Sequence, residues 1–171
     1  MDQNNNIITK AIYTANVDID GINAAIPTTE ISVDELERRR DQIEICPTQF
    51  QSRIDKKYEL RVTVVGQRVF AVKIDTQATE LTKVDWRVHA DLCPHSVYEL
   101  PMKIHDFCLR FLKEFDLDYG AFDFIVDGEG EYVFLENNPF GQYLWLELET
   151  DLPITEEIIR LLKSRQMALK N

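Results

Sequence analysis

The 171-residue sequence predicts an α+β fold in which antiparallel β-sheet carries packed helices. Two stretches alternate apolar and polar residues on either side of a short turn, the pattern of β-hairpins. Between and beyond them the apolar residues recur at three- and four-residue steps, the period of an amphipathic helix. With 44% hydrophobic residues and only six Gly and six Pro, the chain carries enough apolar surface for a buried core.

Taken in order, residues 1 to 30 mix polar groups with short apolar pieces, and Pro27 before Thr28 and Thr29 marks a break. Val33 to Ile43 is predicted helical, opened by Ser32 and Glu35 at the spacing of a capping box. Its run Glu35-Leu36-Glu37-Arg38-Arg39-Arg40-Asp41 has mixed signs and reads as a solvated face. In the first hairpin Tyr58, Leu60, Val62 and Val64 alternate with Glu59, Arg61, Thr63 and Val65. Gly66-Gln67 makes the turn and Arg68 to Asp75 the return. Lys73 on that return shares a site with Arg61 if both project from one side, which depends on the register. From Pro101, the residues Ile104, Phe107, Cys108, Phe111, Leu112 and Phe115 form an apolar stripe of about three turns, which places Cys108 in the core. Cys93-Pro94-His95 reads as a surface loop leading to Tyr98. The second hairpin runs from Ala121 to Val126, turns at Asp127-Gly128-Glu129-Gly130 and returns from Glu131 to Leu135. A last helix follows Pro153, with Glu156 and Glu157 near its positive end, and is expected to fray from about Lys163.

Composition excludes several functions. Thirty acidic residues against nineteen basic ones give a net charge of -11, which repels a nucleic-acid backbone. No segment is long and apolar enough to span a bilayer and the amino end has no secretory pattern, so the expected location is cytoplasmic. Cys46, Cys93 and Cys108 are too few and too irregularly spaced for a disulfide framework or a structural zinc site.

Chemistry is suggested by the second hairpin. Asp123 interrupts Ala121-Phe122-Asp123-Phe124-Ile125-Val126 and Glu136 ends Tyr132-Val133-Phe134-Leu135-Glu136, among neighbours that favour burial, so each carboxylate needs a partner. The two-residue strand period puts Glu136 and Asn138 on one face. Pairing across the turn brings Asp123 within about two positions of Glu136. Two carboxylates and an amide oxygen are hard ligands suited to Mg2+; the same carboxylates serve equally well as ion-pair partners of Arg or Lys. Pro139 and Gly141 then bend the chain at a strand end.

Glu136-Asn137-Asn138-Pro139, preceded by Ala121-Phe122-Asp123-Phe124 and followed by Gly141-Gln142-Tyr143-Leu144-Trp145-Leu146-Glu147, resembles the closing signature of ATP-grasp enzymes. The likeness is strongest to the peptide-maturing branch related to microviridin-type peptide ligases, which close lactone and lactam rings. Phe50-Gln51, Lys57-Tyr58-Glu59-Leu60-Arg61-Val62-Thr63-Val64-Val65-Gly66, Val69-Phe70-Ala71 and Asp85-Trp86-Arg87 extend it, so that it covers residues 44 to 162. It implies the carboxyl-terminal region of an ATP-grasp enzyme, with a partial small lobe and hinge at 1–55 and a catalytic core at 56–171.

The resemblance also implies roles. Asp123, Glu136 and Asn138 hold Mg2+ against the phosphates of ATP. Arg61 lies near the phosphates or an acyl phosphate, and Arg87 stands where the family places an arginine that contacts substrate or phosphate. Gln51, Ile54 and Asp55 belong to the segment passing the adenine and ribose, with Ile54 on the base and Asp55 toward the ribose hydroxyls. Lys73 adds charge near the phosphates. Lys10, in Ile7-Ile8-Thr9-Lys10, resembles the lysine of the small lobe that reaches the nucleotide, although Tyr13-Thr14-Ala15-Asn16-Val17 follows sooner than in such enzymes. The implied function is ATP- and Mg2+-dependent ligation of a carboxylate to an amine or hydroxyl on a peptide substrate. The family's amino-terminal domain has no counterpart in these residues. A partner chain or a homo-oligomer is therefore expected to complete the site, and a noncatalytic nucleotide- or peptide-binding module is the alternative.

Overall fold

A computed structural model describes residues 6–12, 16–46 and 48–168; the Tyr13-Thr14-Ala15 stretch and the amino-terminal Met-Asp-Gln-Asn-Asn lie outside the described residues. The chain divides into two compact units, Met1–Asp55 with Gln77–Cys93, and Lys56–Thr76 with Pro94–Asn171.

In the first unit β1 (Ile7–Ala11) is followed by a separate hairpin of β2 (Asn16–Ile19) and β3 (Ile22–Ala25). The chain reverses there through Asp20 and Gly21, both at positive φ. β4 (Thr29–Ile31) then pairs antiparallel with β1. The predicted helix is present as two pieces, α1 (Val33–Arg38) and α2 (Arg40–Ile45), broken at Arg39. Ser32 caps α1 by accepting the Glu35 amide at 3.2 Å, while the Glu35 carboxylate pairs with Arg39 at 2.7 Å. Neither piece has a fully buried residue, as the mixed-sign face predicts. β5 (Thr48–Ser52) closes a sheet of order β4-β1-β5.

Residues 77–93 also belong to this unit, although the sequence reading places them with 56–171. They contain two short 3₁₀ stretches, Glu80–Thr82 and Trp86–Leu92, the second kinked at His89. Hydrogen bonds from the Thr28 amide and from Arg87 to the buried Asp85 carboxylate fasten the segment.

The second unit is a five-stranded antiparallel sheet. Its strands are β6 (Lys56–Val65), β7 (Arg68–Ile74), β8 (His95–Val97), β9 (Tyr119–Asp127) and β10 (Tyr132–Asn138), in the order β10-β9-β6-β7-β8. Both expected hairpins form, β6–β7 through Gly66 at φ 58° and β9–β10 through Asp127–Gly130. Cys93-Pro94-His95 does not lead through a loop as expected: His95–Val97 pairs with β7 as an edge strand.

Alternation along these strands builds two cores. Leu60, Val62, Val64, Ala71, Phe122, Phe124 and Val126 turn to one face and pack with Cys108 and Leu112 of α3 (Met102–Glu114). Burying a side chain such as Phe122, which is 0% exposed, stabilises by about 3 kcal/mol. Burial also pushes the Cys108 thiol up to about 12, which makes it a core hydrophobe and no nucleophile. Val65, Phe70 and Val72 turn to the other face and meet Leu146 of α4 (Leu144–Thr150) and Ile154 of α5 (Ile154–Ala168). Helix α4 has no counterpart among the predicted elements. It ends at Asp151 in the left-handed region, and its Glu147 carboxylate accepts the amide and hydroxyl of Thr155 at 2.8 and 2.7 Å, which holds the start of α5. Instead of fraying from Lys163, α5 continues to Ala168.

Candidate functional site

The site is built where three strands of the second unit lie side by side. Arg61 on β6 is opposite Asp123 on β9, and Asp123 is opposite Glu136 on β10. This row is made by a bulge. From Tyr132 to Phe134 the partners are Val126 to Phe124, and the register then shifts so that Leu135 is passed over and Glu136 meets Asp123. Without the extra residue, Leu135 would stand beside Asp123 and Glu136 would turn toward the aromatic core; a bulge of this kind re-aims a side chain at a strand end.

Arg61 donates from Nη1 to both Asp123 oxygens, at 2.8 and 2.7 Å, and from Nη2 to the Gln142 carbonyl at 3.4 Å. Its Nε is buried without a hydrogen-bond partner. Burial pushes the Asp123 carboxyl above the usual range; Arg61 pulls it down, and Glu136 and Glu59 push it further up. Three carboxylates therefore act around one guanidinium. Glu59 is itself paired with Lys56, a contact among half-buried side chains. Glu136 and Asn138 are exposed, and the Asn138 Oδ1 accepts the Phe140 amide at 2.9 Å, which leaves that amide oxygen a second lone pair.

The chain after Asn138 is pressed against the sheet. A Cβ at Gly141 would lie 2.3 Å from the Ala121 Cβ and 3.2 Å from Arg61 Nη2, so only glycine allows this approach. The Tyr119 hydroxyl donates to the Gly141 carbonyl. From the sequence Gly141 reads as a bend; its packing against Ala121 depends on a neighbour twenty residues away, which nothing local announces.

Among the described residues no group of three or more His, Cys, Asp or Glu side chains forms a candidate metal cluster. The donors that do fit a cation are mixed: Asp123 and Glu136 carboxylates with the Asn138 amide oxygen, on a sheet face with excess negative charge. An all-oxygen set of this kind suits Mg2+.

Lys73 does not join this site. Arg61 is opposite Val72, and Lys73 is opposite Leu60, so strand alternation turns Lys73 to the other face of the sheet. There its Nζ sits 4.6 Å from the centroid of the Tyr58 ring, beside a chain of hydroxyls joining Tyr58, Tyr98 and Tyr132 at 3.1 and 2.6 Å.

The other predicted contacts lie in the first unit. Lys10 is opposite Gln49, and Ile8 opposite Gln51, so Lys10 and Gln51 share one face of the β4-β1-β5 sheet as diagonal neighbours. Ile54 is half-buried and Asp55 exposed in the stretch between β5 and β6, and Asp55 lies 3.5 Å from Arg53. Arg87 donates to Asp85 from Nε at 2.8 Å and from Nη2 at 2.6 Å. Burial alone would raise the Asp85 carboxyl, but hydrogen bonds from Arg87 and from the Thr28 amide bring it down to about 2.

No family model matches the chain and no curated protein matches it significantly, whereas solved structures do. A RiPP-associated ATP-grasp ligase of Chryseobacterium gregarium, in complex with ADP and a leader and core peptide, is 37% identical, with a TM-score of 0.85 over 94% of this chain and 49% of that chain. Macrocyclase MdnC of Microcystis aeruginosa MRC, bound with precursor peptide MdnA, is 31% identical, with a TM-score of 0.78 over 94% of this chain and 48% of that one. The ATP-grasp ligase PsnB, complexed with a phosphomimetic variant of its minimal precursor, Mg and ADP, shares the fold at 20% identity, with a TM-score of 0.66 over 91% of this chain and 46% of that chain. The chain spans about half the length of these structures. Its mixed α/β architecture is similar to that of RiPP ATP-grasp ligases, microviridin-type macrocyclases among them, over about half of such a chain.

Proposed function

We propose that this chain carries the metal-phosphate half of an ATP-dependent peptide ligase. The observation that carries this reading is the row Arg61, Asp123 and Glu136, set by a bulge, with Asn138 two residues further on the same strand. Binding of ADP, Mg and precursor peptides by the similar structures supports ATP, Mg2+ and a peptide as the ligands.

In the proposed reaction a peptide carboxylate oxygen bonds to the γ-phosphorus of ATP, the bond to the bridging oxygen breaks and ADP leaves. The resulting acyl phosphate is attacked at carbon by an amine, which loses its proton as phosphate departs; a hydroxyl gives the ester. Asp123, Glu136 and Asn138 would hold Mg2+, which supplies charge neutralisation at the phosphate oxygens. Arg61 already lies against Asp123 and adds a fixed positive charge where negative charge spreads. No side chain is required as a covalent nucleophile, in keeping with the buried, unreactive Cys108. Lys10, Gln51, Ile54 and Asp55 are assigned to the nucleotide, on the resemblance of their segments.

The complete reaction is proposed for this chain together with whatever polypeptide corresponds to the other half of the similar ligases, in the same chain, a partner or a second copy. Among the described residues no helix is long and apolar enough to cross a membrane. Three free cysteines suit the reducing cytoplasm, which we take as its location.

Calorimetric titration with ATP and Mg2+ tests the assignment. Binding that requires Mg2+ and weakens at least about 100-fold, or 2.7 kcal/mol, in Asp123→Asn and Glu136→Gln is expected. Unchanged binding in both variants removes these residues from the proposed role. Appearance of ADP together with a peptide lighter by one water separates a ligase from a noncatalytic binding module.

A further inference from the structure

Beside the candidate metal donors, two buried polar atoms of the second unit stand on one strand. Arg61 Nε and Thr63 Oγ1 are withdrawn from solvent, and neither has a hydrogen-bond partner among the described residues. Strand β6 runs against β9 without a bulge there, so Arg61 and Thr63 turn to the same face, with their Cα atoms about 6.7 Å apart. Thr63 is 0% exposed. The residues opposite it, Phe70 on β7 and Ala121 on β9, bring no polar side chain, and the turn at Gly141 presses onto Ala121. An unpaired N–H of a buried charged group and an unpaired buried hydroxyl each destabilise a fold, and native proteins keep few of them. The N–H must donate and the hydroxyl can accept. At this spacing one water with ordinary hydrogen-bond lengths spans the two.

We infer that a single water is enclosed between Arg61 and Thr63, accepting from Nε–H and donating to Oγ1, and that Thr63 is thereby a positioning residue for the Arg61 guanidinium. The water site stands on the two buried atoms; the positioning role rests on the function proposed above. Both short bonds of Arg61 to Asp123, at 2.8 and 2.7 Å, leave from Nη1, so the guanidinium can pivot about that atom. The bond from Nη2 to the Gln142 carbonyl, at 3.4 Å, is longer than an ordinary N–H···O bond and holds weakly. An anchor at Nε stops the pivot and fixes the plane in which the positive charge faces the negative charge of phosphoryl transfer. Thr63 touches neither metal nor phosphate; its effect passes through the water and Arg61.

The test uses the full chain with Thr63→Val, which keeps the shape and loses the hydroxyl, and Thr63→Ser, which keeps the hydroxyl. A high-resolution crystal structure of the wild type is expected to show an ordered water within hydrogen-bond distance of both Nε and Oγ1. By calorimetry Thr63→Val is expected to lower the Tm by roughly 2–4 °C, because the water and Nε lose their link to the strand. AMPPNP with Mg2+ should bind about fivefold more weakly to Thr63→Val, the effect of a charge left free to pivot, and at wild-type strength to Thr63→Ser. A Tm for Thr63→Val at or above that of the wild type overturns the water site, since a hydroxyl with no partner is better replaced by a methyl group. A wild-type crystal without density between the two atoms does the same. Full AMPPNP affinity in Thr63→Val, or an equal loss in Thr63→Ser, overturns the positioning role. If the wild type binds no nucleotide, the functional reading and the positioning role fail together, and the calorimetry and the density decide the water site by themselves.

Discussion

Replacing Arg61 by Met separates a metal site from a structural ion pair. The Arg61 side chain is 15% exposed and that of Asp123 26%, so the pair is largely withdrawn from water. Removing the guanidinium strands a partly buried carboxylate facing two others, Glu136 and Glu59, at a cost of about 3 kcal/mol. For a chain of this size that lowers the Tm by roughly 6–12 °C. Asp123→Asn is expected to be much milder, about 1 kcal/mol, because losing the Arg61 bonds is offset by less carboxylate desolvation and repulsion. The Arg61→Met/Asp123→Asn double variant should recover most of the loss. In Arg61→Met the Asp123 carboxyl, already raised by burial, rises further; the folded state then binds more protons than the unfolded one, so stability falls as pH rises from the ordinary carboxylate range through the raised value. Scanning calorimetry with and without Mg2+ supplies the assay. If these oxygens take a metal, Mg2+ replaces the missing positive charge and raises the Tm of Arg61→Met more than that of the wild type. Equal destabilisation by Arg61→Met and Asp123→Asn, with no response to Mg2+ in either, would refute the reasoning and leave an ordinary ion pair.

Other outcomes can be checked more simply. Asp85, held at about 2 instead of 3.8, contributes about 2 kcal/mol to the first unit; that contribution is present above the unfolded value and is lost as pH falls through about 2, so an acid titration by circular dichroism should show a first-unit transition that Asp85→Asn moves upward in pH. Gly141→Ala forces a Cβ into Ala121 and Arg61 and should cost about 1–3 kcal/mol while weakening Mg2+-nucleotide binding; calorimetry showing neither effect would remove the close approach from the argument. A thiol reagent should label Cys46 alone in the native protein and all three cysteines in denaturant, since Cys93 and Cys108 are buried; rapid native labelling of Cys108 would contradict its place in the core.

Some of this protein is a local property of its sequence. The hairpins at Gly66 and at Asp127–Gly130, the stripe of α3 and the start of α5 are visible because period and turn chemistry act over a few residues. The out-of-place carboxylates Asp123 and Glu136 are visible for the same reason. What the sequence could not decide is how distant segments align. Arg61 and Asp123 are 62 residues apart and meet because β9 pairs with β6 in one particular register. A shift of one residue turns every side chain to the opposite face, so strand parity alone could not show that Lys73 leaves the site or that passing over Leu135 brings Glu136 into it. The fastening of 77–93 by Asp85 and the formation of α4 likewise depend on partners elsewhere in the chain. Residue types determined the available chemistry; register and long-range hydrogen bonds, which only the packed chain specifies, determined which of those residues share a site.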